Sequence, residues 1–570
     1  MHDIVIRNGR VVDGTGADAR VADVAIDGDR ITHVGPDAGR GAREVDAQGR
    51  LVTPGWVDMH THYDAQVTWD PELTPSGWHG VTTVVMGNCG VGFAPAASDR
   101  HDWLIGLMEG VEDIPGAALH EGIQWEWETY PEYLDALERR SAVMDFGSQL
   151  PHGALRAYVM GERGAANEDA TSDDIGEMAR LTGEALEAGA LGFSTSRTSL
   201  HRAVDGEFVP GTFAAHQELY AIGEAIAGAG HGVFQMALEH ADVPQQFEWL
   251  RRLAEITGKP VTFNLQQIDH QPDLWRECLR LLDECAADGL PVFAQAAGRP
   301  IGILMSWEAT AHPFLLHQAF QEVAQLPFDE RLRALQEPRR REALLSETLE
   351  GLGPFLESMV HGFDKMWPFT GETDYEPDPA GSVAAVAAAE GRPAAEVAYD
   401  ALMVDEGKGI LYFPLFNYSD RTLDPLREMH RHPRTFMGLA DAGAHCGAIA
   451  DGGMPTFMVS YWGRDRSRGE GLPIEFVVHR QTQQTARLYG LDDRGVLAPG
   501  YRADVNVIDF DGLSIDPPRM AYDLPTGARR YVQRAHGYEL TLCRGEVVAE
   551  AGEFTGATPG RLVRGPQNLP

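Results

Sequence analysis

The chain has 570 residues, of which 47 are Lys or Arg and 85 are Asp or Glu, so its formal net charge at pH 7 is −38. This acidic balance argues against a nucleic-acid-binding protein, whose surface carries a basic patch, and against docking on anionic lipid. No stretch of about 18 apolar residues predicts a membrane span. The five cysteines form no Cys-x-x-Cys pair, and no secretory signal precedes the first predicted strand. We therefore expect a cytoplasmic protein with reduced thiols.

The first fifty residues predict short β-strands. Residues 4–9 read as a strand that runs into a turn. Residues 24–34 contain two strands joined at Asp27-Gly28, which is a strong hairpin signal.

Residues 54–465 predict a parallel α/β domain, because apolar runs alternate with helical stretches such as 172–188 and 212–229. The number of runs indicates a TIM-like (β/α)8 barrel. A large insert around residues 300–406 is expected to form a lid or an oligomer contact. The candidate strands are 56–60, 82–87, 144–150, 191–195, 233–238, 261–265, 291–295, 410–414 and 435–439.

The tail returns to β-character from about residue 491, most clearly at 504–509 and 539–548. The simplest arrangement is one small β-domain built from both chain ends, residues 1–53 and 466–570. This domain would flank the barrel.

The strongest chemical signal is Val57-Asp-Met-His-Thr-His62, at the end of the first barrel strand. Side chains two positions apart on a strand point to the same side. His60 and His62 would therefore both face the carboxyl-terminal mouth of the barrel, where barrel active sites lie. Two imidazoles there are natural ligands for zinc or a similar cation. The alternative is a pair of hydrogen-bonded histidines near the surface.

Two further residues are predicted at the same mouth. Cys89 follows the second strand among glycines and is a good zinc ligand as a thiolate; the alternative is a small buried apolar residue. Asp441 ends the last strand, where a carboxylate can bind a metal and also accept a proton from water. Its alternative is a loop residue that caps a helix. His445, four residues on, is a candidate for contact with substrate or transition state.

These motifs resemble the amidohydrolase superfamily, and more closely the N-acyl-D-amino-acid deacylase (D-aminoacylase) family. The resemblance covers nearly the whole chain. It rests on Asn8-Gly-Arg-Val-Val-Asp-Gly-Thr-Gly, the His-Thr-His element, Gly87-Asn-Cys-Gly, Trp125-Glu-Trp-Glu-Thr-Tyr, Gly189-Ala-Leu-Gly-Phe-Ser-Thr-Ser, Asp441-Ala-Gly-Ala-His and Arg494-Gly-Val-Leu-Ala-Pro-Gly-Tyr-Arg-Ala-Asp.

The resemblance implies a barrel that carries one or two divalent metal ions, usually zinc, and a β-sandwich made by the two termini. Many relatives bridge two metals with a carboxylated lysine. The three lysines, Lys259, Lys365 and Lys408, lie before strands or in the insert, so none suits that role. In D-aminoacylases a cysteine takes the bridging place, and Cys89 matches it.

The sequence departs from the family at the fifth and sixth strands, which usually end near a His. Here Gln235 and Gln267 stand there, and both are weak metal ligands. His240 and His270 follow within a few residues and are alternatives. A site of His60, His62, Cys89 and Asp441 with a water could still hold one metal.

Substrate recognition is predicted at two strand ends besides His445. Arg197 follows the fourth strand, and an Arg fork suits the carboxylate of an acylated amino acid. The alternative is a surface Arg. His152 ends another candidate strand and either orients a ligand or satisfies buried backbone groups.

The leading hypothesis is a metal-dependent hydrolase of an amide C–N bond, in N-acyl-D-amino acids or related N-acyl compounds. The metal would polarise the carbonyl and lower the pKa of a water, which Asp441 deprotonates as general base. Two alternatives stay open: a hydrolase of a modified peptide, cyclic amide or carbamate, and a barrel that only binds a ligand or protein. The expected partner is a small-molecule substrate, and homo-oligomerisation is left open.

Overall fold

The computed structural model describes residues 1–369, 371 and 373–569. Within these residues, two sets of parallel strands carry the predicted motifs. Their strands are almost entirely buried, as expected for apolar runs in a parallel sheet covered on both faces. The first set runs in the order Trp56–Asp58, Val81–Met86 and Asp145–Ser148. The second runs in the order Thr435–Met437, Val292–Ala296, Val261–Leu265, Val233–Ala237, Gly192–Ser196 and Leu150–Pro151.

The two sets approach each other at both edges. Only Gln149 separates the third strand of the first set from the nearest strand of the second, and its N–H donates to Met86 O at 3.0 Å. At the other edge, Thr61 forms an isolated parallel bridge with Ala442. These contacts bring the carboxyl ends of the first and last parallel strands side by side.

Helices alternate with the parallel strands and bury one apolar face against them. The helix Ser172–Ala188 begins at Thr171, whose hydroxyl accepts from Asp174 N while the Asp174 carboxylate accepts from Thr171 N. It ends at Gly189, whose φ of 113° favours glycine. The helices in this layer are His101–Glu112, Gly116–Gly122, Tyr130–Glu138, His152–Met160, Glu162–Ala165, Ser172–Ala188, His216–Ala229, Val243–Thr257, Leu274–Ala287 and Asp424–Arg431.

The chain ends share one mixed sheet. Its central pairing joins Leu51–Pro54 to Val505–Ile508 in antiparallel register. Apolar side chains from both ends, including Val24 and Leu542, form the core of this sheet. The strand order is Glu553–Phe554, Glu546–Glu550, Tyr538–Cys543, Val505–Ile508, Leu51–Pro54, His2–Val11, Arg20–Asp27 and Arg30–Gly35, with Gly41–Asp46 also paired to His2–Val11.

The domain boundary expected at residue 466 does not coincide with the return to β-structure, which begins at Val505. The intervening residues are helical and hydrogen-bond to the parallel strands, for example through Val57 N to Gln481 O at 2.9 Å. The helices between these two positions are Ile474–Arg480 and Gln483–Leu488, and they follow Met454–Phe457 and the π-helix Met458–Asp465.

The insert has an apolar core of its own around Trp307. The prediction that residues 410–414 form a barrel strand is wrong. Ile410–Pro414 instead pairs antiparallel with Gly302–Met305 and Trp367–Phe369, because its apolar side chains pack into the insert core. The insert helices are Gln318–Gln321, Phe328–Leu335, Pro338–Ser346, Pro354–His361, Val383–Glu390 and Ala394–Gly407, the last with a kink.

The remaining elements are short. Two small antiparallel pairs are Ser514–Ile515 with Ala535–His536 and Arg519–Leu524 with Ala528–Val532. Single 3₁₀ turns lie at Gln66–Thr68, Ser76–His79, Phe363–Lys365, Pro379–Gly381, Asp451–Gly453 and Pro525–Gly527. In the part of the chain described above, no helix has the length and apolar character needed to cross a bilayer.

Candidate metal centre

Three of the predicted metal ligands lie together at the carboxyl ends of the first two strands. The ligand atoms of His60, His62 and Cys89 are all within 4.8 Å of one another. The Cys89 Sγ lies 3.3 Å from His60 Nε2. Cys89 adopts a φ of 57° directly after a tight turn at Gly87, where a Cβ would come within 2.3 Å of Gln149 O. The glycine therefore lets the backbone turn sharply and present the sulfur.

Asp441 lies beside the two imidazoles, just after the last strand. Its Oδ1 lies 3.1 Å from His60 Nε2 and 3.6 Å from His62 Nε2. The Asp441 N–H donates to His60 O at 3.1 Å, and His62 N–H donates to Ala442 O at 2.9 Å. These backbone bonds hold the two strand ends together and place the carboxylate beside both imidazoles.

His60 has a defined tautomer because its other ring nitrogen is engaged. Its Nδ1 lies 2.6 Å from Gln295 Oε1, while Gln295 Nε2 donates to Thr262 Oγ1 at 3.2 Å. With the amide oxygen facing the ring, His60 donates from Nδ1 and keeps a lone pair on Nε2. That lone pair points to the group formed with Cys89 and Asp441.

Glu112 stands behind His62, and the sequence analysis missed it. The Glu112 Oε1 lies 3.4 Å from His62 Nδ1, and its Oε2 lies 3.6 Å from His445 Nε2. Glu112 is only 2% exposed, at the end of the helix His101–Glu112. It falls one helical turn after the buried Met108, so an acidic residue on an apolar helix face was the signal available in the sequence.

In this group, the pKa shifts favour an ionised carboxylate on Asp441 and a protonated imidazole on His62. Burial lowers the pKa of His60 to about 4 and raises the pKa of the Cys89 thiol to about 12. Burial opposes protonation of His62, but the charge of Glu112, followed by a hydrogen bond to Asp441, raises the pKa of His62 well above its usual value. Burial also opposes the charged form of Asp441, yet His60 and His62 lower the pKa of Asp441 below its usual value.

These side chains fit a zinc ion by their chemistry. Two imidazole nitrogens, one sulfur and one carboxylate oxygen are the donor types that zinc takes in proteins. Both imidazoles have a hydrogen-bonding or acidic partner on the far nitrogen, as metal-bound histidines do. A cation would compete with the protons on His62 and on the Cys89 thiol, so its binding would release protons.

The three candidates for substrate contact are placed differently. His445 is partly exposed and adjoins Glu112. Arg197 donates from Nη1 to Gly211 O and Ala214 O at 2.8 and 2.9 Å, and burial lowers its pKa to about 10. The structure places His445 next to Glu112, whereas Arg197 hydrogen-bonds to a neighbouring loop.

His152 lies in a buried network away from the group. Its Nδ1 is 2.8 Å from Thr195 Oγ1 and its Nε2 is 2.7 Å from Glu218 Oε1. Both ring nitrogens are engaged inside the protein, so neither is available to a substrate in this structure. The reason is that His152 begins the helix His152–Met160, which turns its ring towards Glu218 on a neighbouring helix.

At the fifth and sixth strands, the glutamines that stand where the family usually has histidines accept hydrogen bonds from backbone N–H groups. Gln235 Oε1 accepts the Cys89 N–H at 2.9 Å, whereas Gln267 Oε1 accepts the Ser419 N–H at 3.1 Å. Among the described residues, the one cluster of His, Cys and acidic groups able to hold a metal is that of His60, His62 and Cys89, so His240 and His270 stay outside it.

His201 is a second residue that the sequence analysis left unassigned. Its Nδ1 lies 3.0 Å from Ser196 Oγ at the end of the fourth strand. Burial, followed by the charges of His445 and His62, lowers the pKa of His201 to about 3. The neutral form of the His201 imidazole is therefore favoured.

Comparison with known proteins identifies the family. The sequence profile of the amidohydrolase family matches residues 43–549. The chain belongs to the amidohydrolase family. This amidohydrolase is 26% identical to a D-aminoacylase of Alcaligenes xylosoxydans xylosoxydans over 567 residues, which cover 98% of this chain and 97% of that protein. The resemblance predicted from the motifs is therefore confirmed, and so is a deacylase-like enzyme.

Two solved structures share the mixed α/β fold of this amidohydrolase. A crystal structure of D-aminoacylase aligns with a TM-score of 0.66 at 24% identity, covering 99% of this chain and all of that one. The N-acyl-D-glutamate deacylase of Bordetella bronchiseptica, in complex with zinc and a phosphonate inhibitor, aligns with a TM-score of 0.64 at 22% identity and covers 99% of both chains.

Proposed function

We propose that this amidohydrolase hydrolyses the amide C–N bond of N-acyl-D-amino acids or closely related N-acyl compounds. The observation that carries the proposal is the convergence of His60, His62, Cys89 and Asp441 from the first, second and last parallel strands. The similarity to a D-aminoacylase along the whole chain supports the substrate class.

We infer that His60, His62, Cys89 and Asp441 would hold one divalent cation, with zinc as the best match to the donor set. When bound, such an ion supplies positive charge that polarises a carbonyl group and lowers the pKa of a water molecule. A second ion would need further ligands. Gln235 already uses its amide oxygen on the Cys89 N–H, which argues for a single ion.

Asp441 is the proposed general base. Its carboxylate lies beside both imidazoles, where it can accept a proton from an attacking water. It would take a proton from the water that attacks the acyl carbon and deliver it to the nitrogen as the C–N bond breaks. The products are then a carboxylate and a free amino acid, and Asp441 returns to its starting form.

His445 is the proposed substrate contact, because its partly exposed ring lies 3.6 Å from Glu112, which in turn faces His62. Arg197 remains a proposed partner for the substrate carboxylate through the nitrogens that do not bind the neighbouring loop. The role predicted for His152 would require its ring to leave both Thr195 and Glu218.

We also infer that the parallel strands form one (β/α)8 barrel, with a small β-domain made by the two chain ends. The bridge between Thr61 and Ala442 and the single-residue gap at Gln149 support the barrel. The pairing of Leu51–Pro54 with Val505–Ile508 supports the shared terminal domain.

A substrate panel with purified protein tests this proposal. N-acetyl-D-amino acids, their L-enantiomers, cyclic amides and carbamates are compared before and after chelation, with zinc added back. We expect release of the free D-amino acid, loss of turnover on chelation and recovery with zinc. Turnover of cyclic amides or carbamates alone would favour the second candidate, which the glutamines on the fifth and sixth strands motivate. If the protein takes up no metal and turns over no substrate, the remaining alternative is a barrel that only binds a ligand or another protein.

A further inference from the structure

We propose that Glu112 is a positioning residue that holds His62 ready for the cation and links it to His445 at the mouth of the site. The proposal rests on the metal-dependent function proposed above. Glu112 lies on the helix His101–Glu112, whereas the proposed metal ligands follow strand ends.

Glu112 is a buried carboxylate whose ionic neighbours are two histidines. Its side chain is 2% exposed, and among the described residues it forms no ion pair with Arg or Lys. The facing atoms Glu112 Oε1 and His62 Nδ1 are 3.4 Å apart, and neither has a hydrogen-bond partner within the described parts of the chain. A buried charge of this kind is costly unless it is paired, so the His62 ring is its natural partner.

The backbone around Glu112 is held in place from two sides. Its carbonyl accepts the His445 N–H. The next residue, Asp113, ends the helix with a φ of 51°, and its carboxylate accepts the Gly447 N–H at 3.0 Å and the Thr310 hydroxyl at 3.0 Å. Thr310 belongs to the insert. The helix end is therefore tied both to the loop that carries His445 and to the insert.

A carboxylate on the far nitrogen of a metal-bound histidine fixes its tautomer and ring orientation and makes the other nitrogen a stronger donor. Glu112 would do this for His62, leaving Nε2 to face Asp441 and the cation. Gln295 performs the neutral version of the same task for His60. The charge on Glu112 is thus the feature that distinguishes the two imidazoles.

Zinc affinity of purified protein, measured by competition with a chromophoric chelator, tests the proposal without using turnover. We expect Glu112→Gln to bind zinc about 10- to 100-fold more weakly than the parent protein, as loss of such a partner does. Glu112→Asp keeps the charge and should recover part of the affinity. Glu109→Gln is the matched control, because Glu109 lies on the same helix but accepts the Gly116 N–H at 2.9 Å.

A double-mutant cycle with His62→Ala separates positioning from general damage to the fold. If Glu112 acts through His62, Glu112→Gln should have no further effect on zinc affinity once His62 is absent. Where Glu112→Gln fails to fold, Glu112→Asp against the parent gives the same comparison, with weaker zinc binding expected for the shortened side chain.

The outcomes are distinguishable from failure of the proposed function. If the parent protein binds zinc and the folded Glu112 variants bind it equally well, the role of Glu112 is overturned while the metal centre stands. An equal loss in Glu109→Gln, or an undiminished loss in the His62→Ala background, would also overturn it. If the parent protein takes up no zinc, the proposed function and this inference both fail.

Discussion

The two sides of the mouth formed by the parallel strands differ in chemistry. The first, second and last strands present ionisable groups, and the fifth and seventh present the amides Gln235 and Gln295. Both amides contact proposed metal ligands. Gln235 binds the Cys89 N–H, and Gln295 binds His60 Nδ1. In the proposed metal centre, the first, second and last strands would therefore supply the ligands, and the two amides would orient His60 and Cys89.

The largest effect is expected on the ionisable side, from Asp441→Asn. The amide keeps the volume of the side chain but cannot act as the base, so turnover should fall about 10²- to 10⁴-fold. Steady-state kinetics alongside metal analysis checks this. Full turnover at unchanged metal content would show that Asp441 is not the base.

Cys89→Ala should weaken zinc binding more than any change on the amide side. Removal of a ligand should exceed the about 10- to 100-fold loss that follows removal of a supporting partner. Cys446→Ala is the control, since Cys446 is also buried but lies outside the metal-ligand group. Chelator competition measures both, and equal zinc affinity in the two variants would contradict the assignment.

Gln295→Leu should lower zinc affinity about 10- to 100-fold, because the His60 ring loses the acceptor that fixes its tautomer. Gln295→Glu restores an acceptor and places a carboxylate behind His60, as Glu112 stands behind His62. We expect Gln295→Glu to bind zinc at least as tightly as the parent protein. If the Leu variant binds zinc normally, the amide does not orient the ring.

A smaller effect on zinc is expected from Gln235→Leu, which leaves the buried Cys89 N–H without its acceptor. We expect a loss of about 1–3 kcal/mol in unfolding free energy and less than a tenfold loss in zinc affinity. Gln267→Leu removes the acceptor of the Ser419 N–H instead and should destabilise without affecting zinc. Denaturant unfolding of the metal-free proteins and chelator competition give both values. A larger loss of zinc affinity in Gln267→Leu than in Gln235→Leu would contradict this prediction.

The structure brings together the strand-end residues that the sequence pointed to. His60, His62, Cys89 and Asp441 follow apolar runs, and parallel strands end at one edge, so their meeting follows from the pattern. The family and enzyme class followed from the same motifs and are confirmed. Glu112 was missed because it reaches the site from a helix, and no strand periodicity applies to it.

Side-chain direction explains the other differences. Arg197 and His152 also follow strand ends, but their side chains bind partners inside the protein. Arg197 donates to backbone carbonyl groups, and His152 pairs with Glu218. Residues 410–414 read as a barrel strand because apolar runs look alike in parallel and antiparallel sheets. Only the packing of the insert core distinguishes them.

The terminal sheet joins segments that lie about 450 residues apart in the chain and are therefore translated at different times. Leu51–Pro54 lies between His2–Val11 and Val505–Ile508. At ~5–20 residues per second, the intervening stretch of about 450 residues takes roughly 20–90 s to synthesise. Until then, the first strands carry an open edge that can pair with another nascent chain. We therefore expect newly made chains to need a chaperone until Val505–Ile508 has left the ribosome and can pair with Leu51–Pro54.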